Sequence, residues 1–278
     1  MALDGLEIAA LAMQVIASLI YLSVARFLAK RNVSEEARGA QRGFVFWWAG
    51  LGLLGLYGLV FNNNYGINIA EQGLVFTLTI LYLLIGGLFV IIAGLMYYLL
   101  YLYTGKKAAL RWIAVFWVFM VVFLVWLIHG TGGGPCIYSP GDADCTPSAS
   151  WEEGDGATLG SASERPAVLG GIFGLLLVTP ILGSALAYAL LFFRVDGATA
   201  KYRVAAISLG IILWMGFSTL SNLFALAGGA DARPDFMPLI GQGLGIFSGS
   251  LVYLAYYPPK WAQSMWGVGS LRDEATSQ

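Results

Sequence analysis

Charge is the scarcest property of this 278-residue chain: Asp, Glu, Lys and Arg together make up 11% of it, against 58% hydrophobic residues. A water-soluble domain carries about 25% charged residues, so this chain has too little polar surface to cover a globule. It is read instead as a polytopic membrane protein. The formal net charge is −1. Without a basic surplus to neutralise phosphates, no nucleic-acid partner is expected.

The groups that carry membrane chemistry are also sparse. The five lysines (Lys30, Lys106, Lys107, Lys201 and Lys260) all lie in or beside the polar links. A retinal Schiff base needs a lysine in the membrane interior, so photoactive-rhodopsin chemistry is excluded. A single histidine, His129, cannot hold a haem between two imidazoles of one chain. No carboxylate lies deep in an apolar segment, which argues against proton or sodium pumping and against a paired-aspartate protease. A rhomboid-like serine protease needs G-x-S-G with a histidine on another helix, whereas the stretch Gly245-Ile246-Phe247-Ser248-Gly249-Ser250 has a different spacing. Enzymatic activity is not expected, and neither is a metal or a resident cofactor; a bound lipid or pigment remains open.

What the chain does have is apolar length. A bilayer core takes about 20 apolar residues per helix, and seven segments meet that demand: 8–28, 43–61, 74–102, 112–129, 167–193, 204–227 and 237–257. The expected fold is all-α, a seven-transmembrane-helix bundle over 1–262, with 263–278 as a short cytoplasmic tail. With the N-terminus outside, thirteen of the fifteen basic residues fall inside and only Arg165 and Arg233 outside, as the positive-inside rule asks. The C-terminus is then inside, and the plasma membrane of a prokaryotic cell is the expected location. Trp47, Trp48, Tyr97, Tyr98, Tyr101, Tyr103, Trp112, Tyr256, Tyr257 and Trp261 fall towards the inside ends and are read as an aromatic belt.

The long connection 130–166 is rich in Gly, Ser, Pro and acids and is read as an external loop. It holds both cysteines, Cys136 and Cys145. In an oxidising compartment a disulfide between them is the natural expectation, with metal binding or free thiols as alternatives. His129 joins them either as a metal ligand, with Asp142 and Asp144, or as an interfacial cap on the fourth helix. Asn62, Asn63 and Asn64, with Tyr65 and Asn68, serve as caps and turns or as a polar vestibule.

Two further patterns bear on function. Gly241, Gly245 and Gly249 recur at i, i+4 and i+8, so they share one helix face, and missing side chains there admit another helix closely. This glycine zipper is a packing surface: a dinucleotide fingerprint would need glycine where Ile246 stands, and a phosphate loop would need a lysine. Similar glycines occur at Gly50, Gly52, Gly55 and Gly58, at Gly86 and Gly87, and at Gly170, Gly171 and Gly174. The second pattern is polar: Ser218, Thr219, Ser221 and Asn222 on the sixth segment, Gln14 on the first and Gln242 on the last fall at similar depth. They are interhelical hydrogen-bonding groups or the lining of a ligand pocket, beside a fifth segment kinked at Thr179-Pro180.

The end of the last segment, "LVYLAYYPPKWAQSMWG", puts Pro258, Pro259, Lys260 and Trp261 at the membrane exit, and "RGFVFWWAGLG" opens the second segment. These stretches resemble the multi-helix membrane sensor modules of bacterial signalling proteins, in which the bundle precedes a kinase, cyclase or similar output domain. Here the chain continues from Pro259 only to Gln278, so the resemblance implies a stand-alone sensor or a partner-dependent membrane subunit. The leading expectation is a non-enzymatic sensor or receptor that binds an apolar or amphipathic ligand from the outer side. A structural or accessory subunit of a membrane complex, and a transporter of a neutral or lipid-like solute, are the alternatives. Membrane lipids, copies of the chain or complex subunits are the expected partners.

Overall fold

The computed structural model describes residues 5–61, 74–129, 182–228 and 236–269. The loop 130–166, with Cys136, Cys145 and the acidic residues beside them, lies outside these, as do Thr179, Asn62, Asn63 and Asn64. Eight helices occur among the described residues, and no strand. They are α1 (Gly5–Lys30), α2 (Glu35–Val60), α3 (Leu74–Thr104), α4 (Lys106–His129), α5 (described as Leu182–Arg194), α6 (Ala198–Gly228), α7 (Met237–Tyr256) and α8 (Lys260–Trp266).

Four described stretches are long and apolar enough to cross a membrane: Gly5–Lys30, Ala37–Val60, Tyr82–Thr104 and Leu239–Tyr256. The protein is therefore an all-helical, multi-pass membrane protein. Its outer surface agrees with that setting. Val118, Phe119 and Val122 of α4 are 64–65% exposed and Phe193 of α5 is 80% exposed, which in water would forfeit about 1.5–3 kcal/mol for each large side chain left unburied.

Several helices run past their apolar windows, because a helix ends at a cap and not where hydropathy falls. α2 begins behind Ser34, whose hydroxyl accepts a hydrogen bond from Ala37 N at 3.3 Å. α3 and α4 are separated by Gly105 alone, at φ 78°. In that left-handed conformation a Cβ would be strained, so glycine lets the chain reverse within one residue. Gly197, at φ 85°, serves the same purpose between α5 and α6. The tandem prolines end α7, as expected, but the chain then forms the two-turn α8, held by Gln263 Nε2 donating to Pro258 O at 2.7 Å.

α1 packs against both α2 and α7, α2 against α3, α3 against α4, and α6 against α7. α5 lies on α3, where the Tyr188 hydroxyl donates to the Tyr98 hydroxyl at 2.6 Å. The α1–α2, α3–α4 and α5–α6 links and the end of α7 share one end of the bundle. Contacts show this directly: the Arg31 guanidinium lies 4.4 Å from the Tyr256 ring centroid and Arg194 lies 5.5 Å from that of Tyr103. That end carries Arg26, Lys30, Arg31, Arg38, Arg42, Lys106, Lys107, Arg111, Arg194, Lys201, Arg203 and Lys260 against three acids, Glu35, Glu36 and Asp196.

The core corrects the aromatic-belt expectation. Trp47 and Trp48 are 2% and 1% exposed, and Tyr98 lies inside the bundle stacked on Phe44 at 4.6 Å, 17° between planes. Sequence position gives a residue's depth but not the direction it faces, and these rings face inward. Trp112 and Trp261, each 60% exposed, are on the surface.

Candidate functional site: a polar level shared by α1, α6 and α7

α1 and α7 run parallel, side by side. A Cβ placed on Gly243 would lie 3.3 Å from Met13 Cε, one on Gly245 would meet the Tyr21 hydroxyl, and one on Gly249 would lie 2.6 Å from Ile20 Cγ2. At the basic end Phe27 packs against Tyr253 and Tyr256, with ring centroids 5.7 and 5.6 Å away. α6 runs antiparallel to α7. Gly210 faces Ser248, whose carbonyl would be 3.1 Å from an added Cβ, and Trp214 faces Gly245 at 3.2 Å. One turn further, the same register brings Ser218 to the level of Gly241 and Gln242. Met13 against Gly243 brings Gln14 to that level too.

Three of the polar positions singled out in the sequence thus share one level, on α7 and on α1 and α6, which each pack against it. Thr219, Ser221 and Asn222 follow along α6, away from the basic end. The side chains of Ser218 through Asn222 lie outside the described residues, so their placement here is that of the backbone. Thr179 is not brought into the description. Gln14 has a definite partner: its Nε2 donates to Gly55 O at 2.9 Å, across to α2. Ser18, one turn on, donates to Gln14 O at 2.8 Å and stands against Gly55, where a Cβ would collide with its hydroxyl. One N–H of the Gln14 amide is therefore an interhelical tie, while an amide carries a second N–H and an acceptor oxygen besides.

Towards the basic end this level is closed by aromatic rings. Tyr21 touches Trp48 at 5.5 Å and Trp214 at 6.4 Å, and Trp47 meets Trp214 edge-on at 5.9 Å and 84°. The Tyr21 hydroxyl and the indole N–H groups of Trp47 and Trp48 are buried without a hydrogen-bond partner among the described residues. No described residue within this layer is ionised, so the layer is a dense, uncharged wall. It was missed in the sequence because an aromatic at that depth reads equally as belt or core. The chain matches no protein-family model, no curated protein and no solved structure.

Proposed function

We propose that the chain is a seven-crossing integral membrane protein with its N-terminus outside, of the sensor or receptor kind. It lies in the cytoplasmic membrane of a prokaryotic cell and has no catalytic chemistry of its own. On this reading α1 to α7 all cross, and the basic end faces the cytoplasm because cationic links resist translocation. The ligand is apolar or amphipathic and enters from the outer side. It lodges where Gln14, Gln242 and the Ser218–Asn222 turn share a level, above the aromatic wall.

One observation supports this reading: Gln14 and Gln242 share a level with the backbone of Ser218, on α1, α7 and α6, away from the basic end. Few polar groups among many apolar ones is the usual make-up of a small-molecule site. A second reading is a subunit docked on partners within a larger complex, with open small-residue positions such as Gly87 admitting a helix of another chain closely.

Native mass spectrometry of gently extracted protein separates the two. The receptor reading predicts an isolated chain, or copies of it, carrying a small molecule whose occupancy falls in Gln242→Leu. Foreign subunits in fixed ratio, with no small molecule on the chain, would support the complex and contradict the receptor.

A further inference from the structure

Two cavities among the described residues lie at the opposite end from that polar level. The larger, of about 500 Å³, runs between the α1–α2 link and the part of α2 from Arg38 to Ala49. Lys30, Arg31, Arg38 and Arg42 line it, and its apolar floor is Val45, Phe46 and Ala49. A second recess of about 350 Å³ shares Arg38 and Arg42 and adds Glu35 of α2, Tyr97 and Tyr101 of α3 and Lys106 of α4.

The cations divide by what already engages them. The Arg31 guanidinium lies over the Tyr256 ring and is committed to packing. Glu35 reaches Arg38 only at 4.0 Å, with both side chains largely exposed, and so neutralises it weakly. Lys30 and Arg42 are exposed at the rim. Arg38 and Arg42 are one turn apart and therefore project from the same side of α2. Among the described residues lining the larger cavity there is no acid. The wall is held in shape by Gln41, whose Nε2 donates to Leu28 O at 2.5 Å and Arg31 O at 2.8 Å, pinning the end of α1 to α2. The cluster is thus a built concavity and not a loose cationic loop.

The gradient along the groove identifies its occupant. Cations stand at the mouth, and within two turns the lining becomes Val45, Phe46 and Ala49. Phe46 is 47% exposed, and from Gly43 onward α2 carries no charged residue. A free anion would use the mouth and leave the apolar floor unexplained. A lipid with an anionic headgroup uses both, and basic recesses beside membrane helices take such headgroups. We propose that this groove is a binding site for one anionic glycerophospholipid, its phosphate held by Lys30, Arg38 and Arg42 and an acyl chain lying along Val45, Phe46 and Ala49. The site rests on the multi-pass architecture and not on the ligand level at the other end.

The test is native mass spectrometry of detergent-solubilised protein titrated with dioleoyl phosphatidylglycerol, dioleoyl phosphatidylcholine or inorganic phosphate. The expected result is one retained phosphatidylglycerol per chain, with phosphatidylcholine retained at least fivefold less. Arg38→Gln/Arg42→Gln should reduce phosphatidylglycerol retention at least fivefold. Lys107→Gln/Arg111→Gln removes the same charge from the same end, outside both recesses, and should retain the lipid as wild type does. Equal loss in both double variants would reduce the site to diffuse charge. Equal retention of the two lipids would make it an apolar groove only. Phosphate at millimolar concentration displacing the lipid would make it an anion site. Each of these outcomes overturns the proposal. If Arg38→Gln/Arg42→Gln does not fold, Phe46→Ala decides: weakened lipid retention supports the site, and unchanged retention contradicts it.

Discussion

Gly245 stands beneath the Tyr21 hydroxyl and beside Trp214, with no room between them for even a methyl group. Gly243, two residues earlier, meets only the mobile end of Met13. Gly245→Leu should therefore lower the thermal midpoint in detergent more than Gly243→Leu, since overpacking of this kind typically costs ~1–3 kcal/mol. Equal midpoints would show that this face is not a packing face. Gly43 makes a sharper case. A Cβ there would lie 2.8 Å from the Gly94 carbonyl, backbone against backbone, so even Gly43→Ala forces α2 and α3 apart and should destabilise. Gly43 follows Gly39 at i+4 on α2, a local sign of a close face. That it meets Gly94 of α3 depends on tertiary register, which no local pattern records. Gly87 shows the converse: it stands beside Gly86 in a suggestive pair, yet nothing lies within 4 Å of its would-be Cβ.

Among elements, the apolar stretches were readable because a bilayer demands length, and α1, α2, α3 and α7 answer to it directly. Helix ends were less so. The apolar run of α2 starts at 43, but Ser34 lets the helix begin at Glu35, carrying Arg38 and Arg42 on a rigid rod instead of a loop. The groove was invisible for that reason: the same arginines were counted as signs of charge, without positions. Glycine substitutions test the α3–α4 reversal with opposite signs. Gly105→Ala places a Cβ at φ 78° and should cost about 1–2 kcal/mol. Gly87→Ala lies in mid-helix with open space around it and should gain up to about 1 kcal/mol in helix propensity. Thermal melts of both in one detergent check the pair, and a loss in both would contradict this account. For the loop 130–166, peptide mapping without reductant should recover Cys136 joined to Cys145. Both cysteines recovered alkylated and free would refute the bridge.

Among the described residues the basic side chains gather at one end, and an aromatic wall stands between them and the level of Gln14 and Gln242. This asymmetry was legible in the sequence as a count of basic residues, thirteen against two. The meeting of α1, α6 and α7 was not, because apolar helices of similar hydropathy carry no label of their neighbours. The proposed function needs the basic end to face the cytoplasm, so sidedness is the central claim. It is tested most directly by impermeant thiol labelling of intact cells, with Cys136 and Cys145 replaced and single cysteines introduced. Cysteine at Ala108, early in α4, or at Ala198, where α6 begins, should stay unlabelled until the membrane is opened. Cysteine at Ser148, in the loop after α4, should label at once. Labelling of all three positions in intact cells, or the reverse pattern, would contradict a seven-crossing chain with its basic end inside.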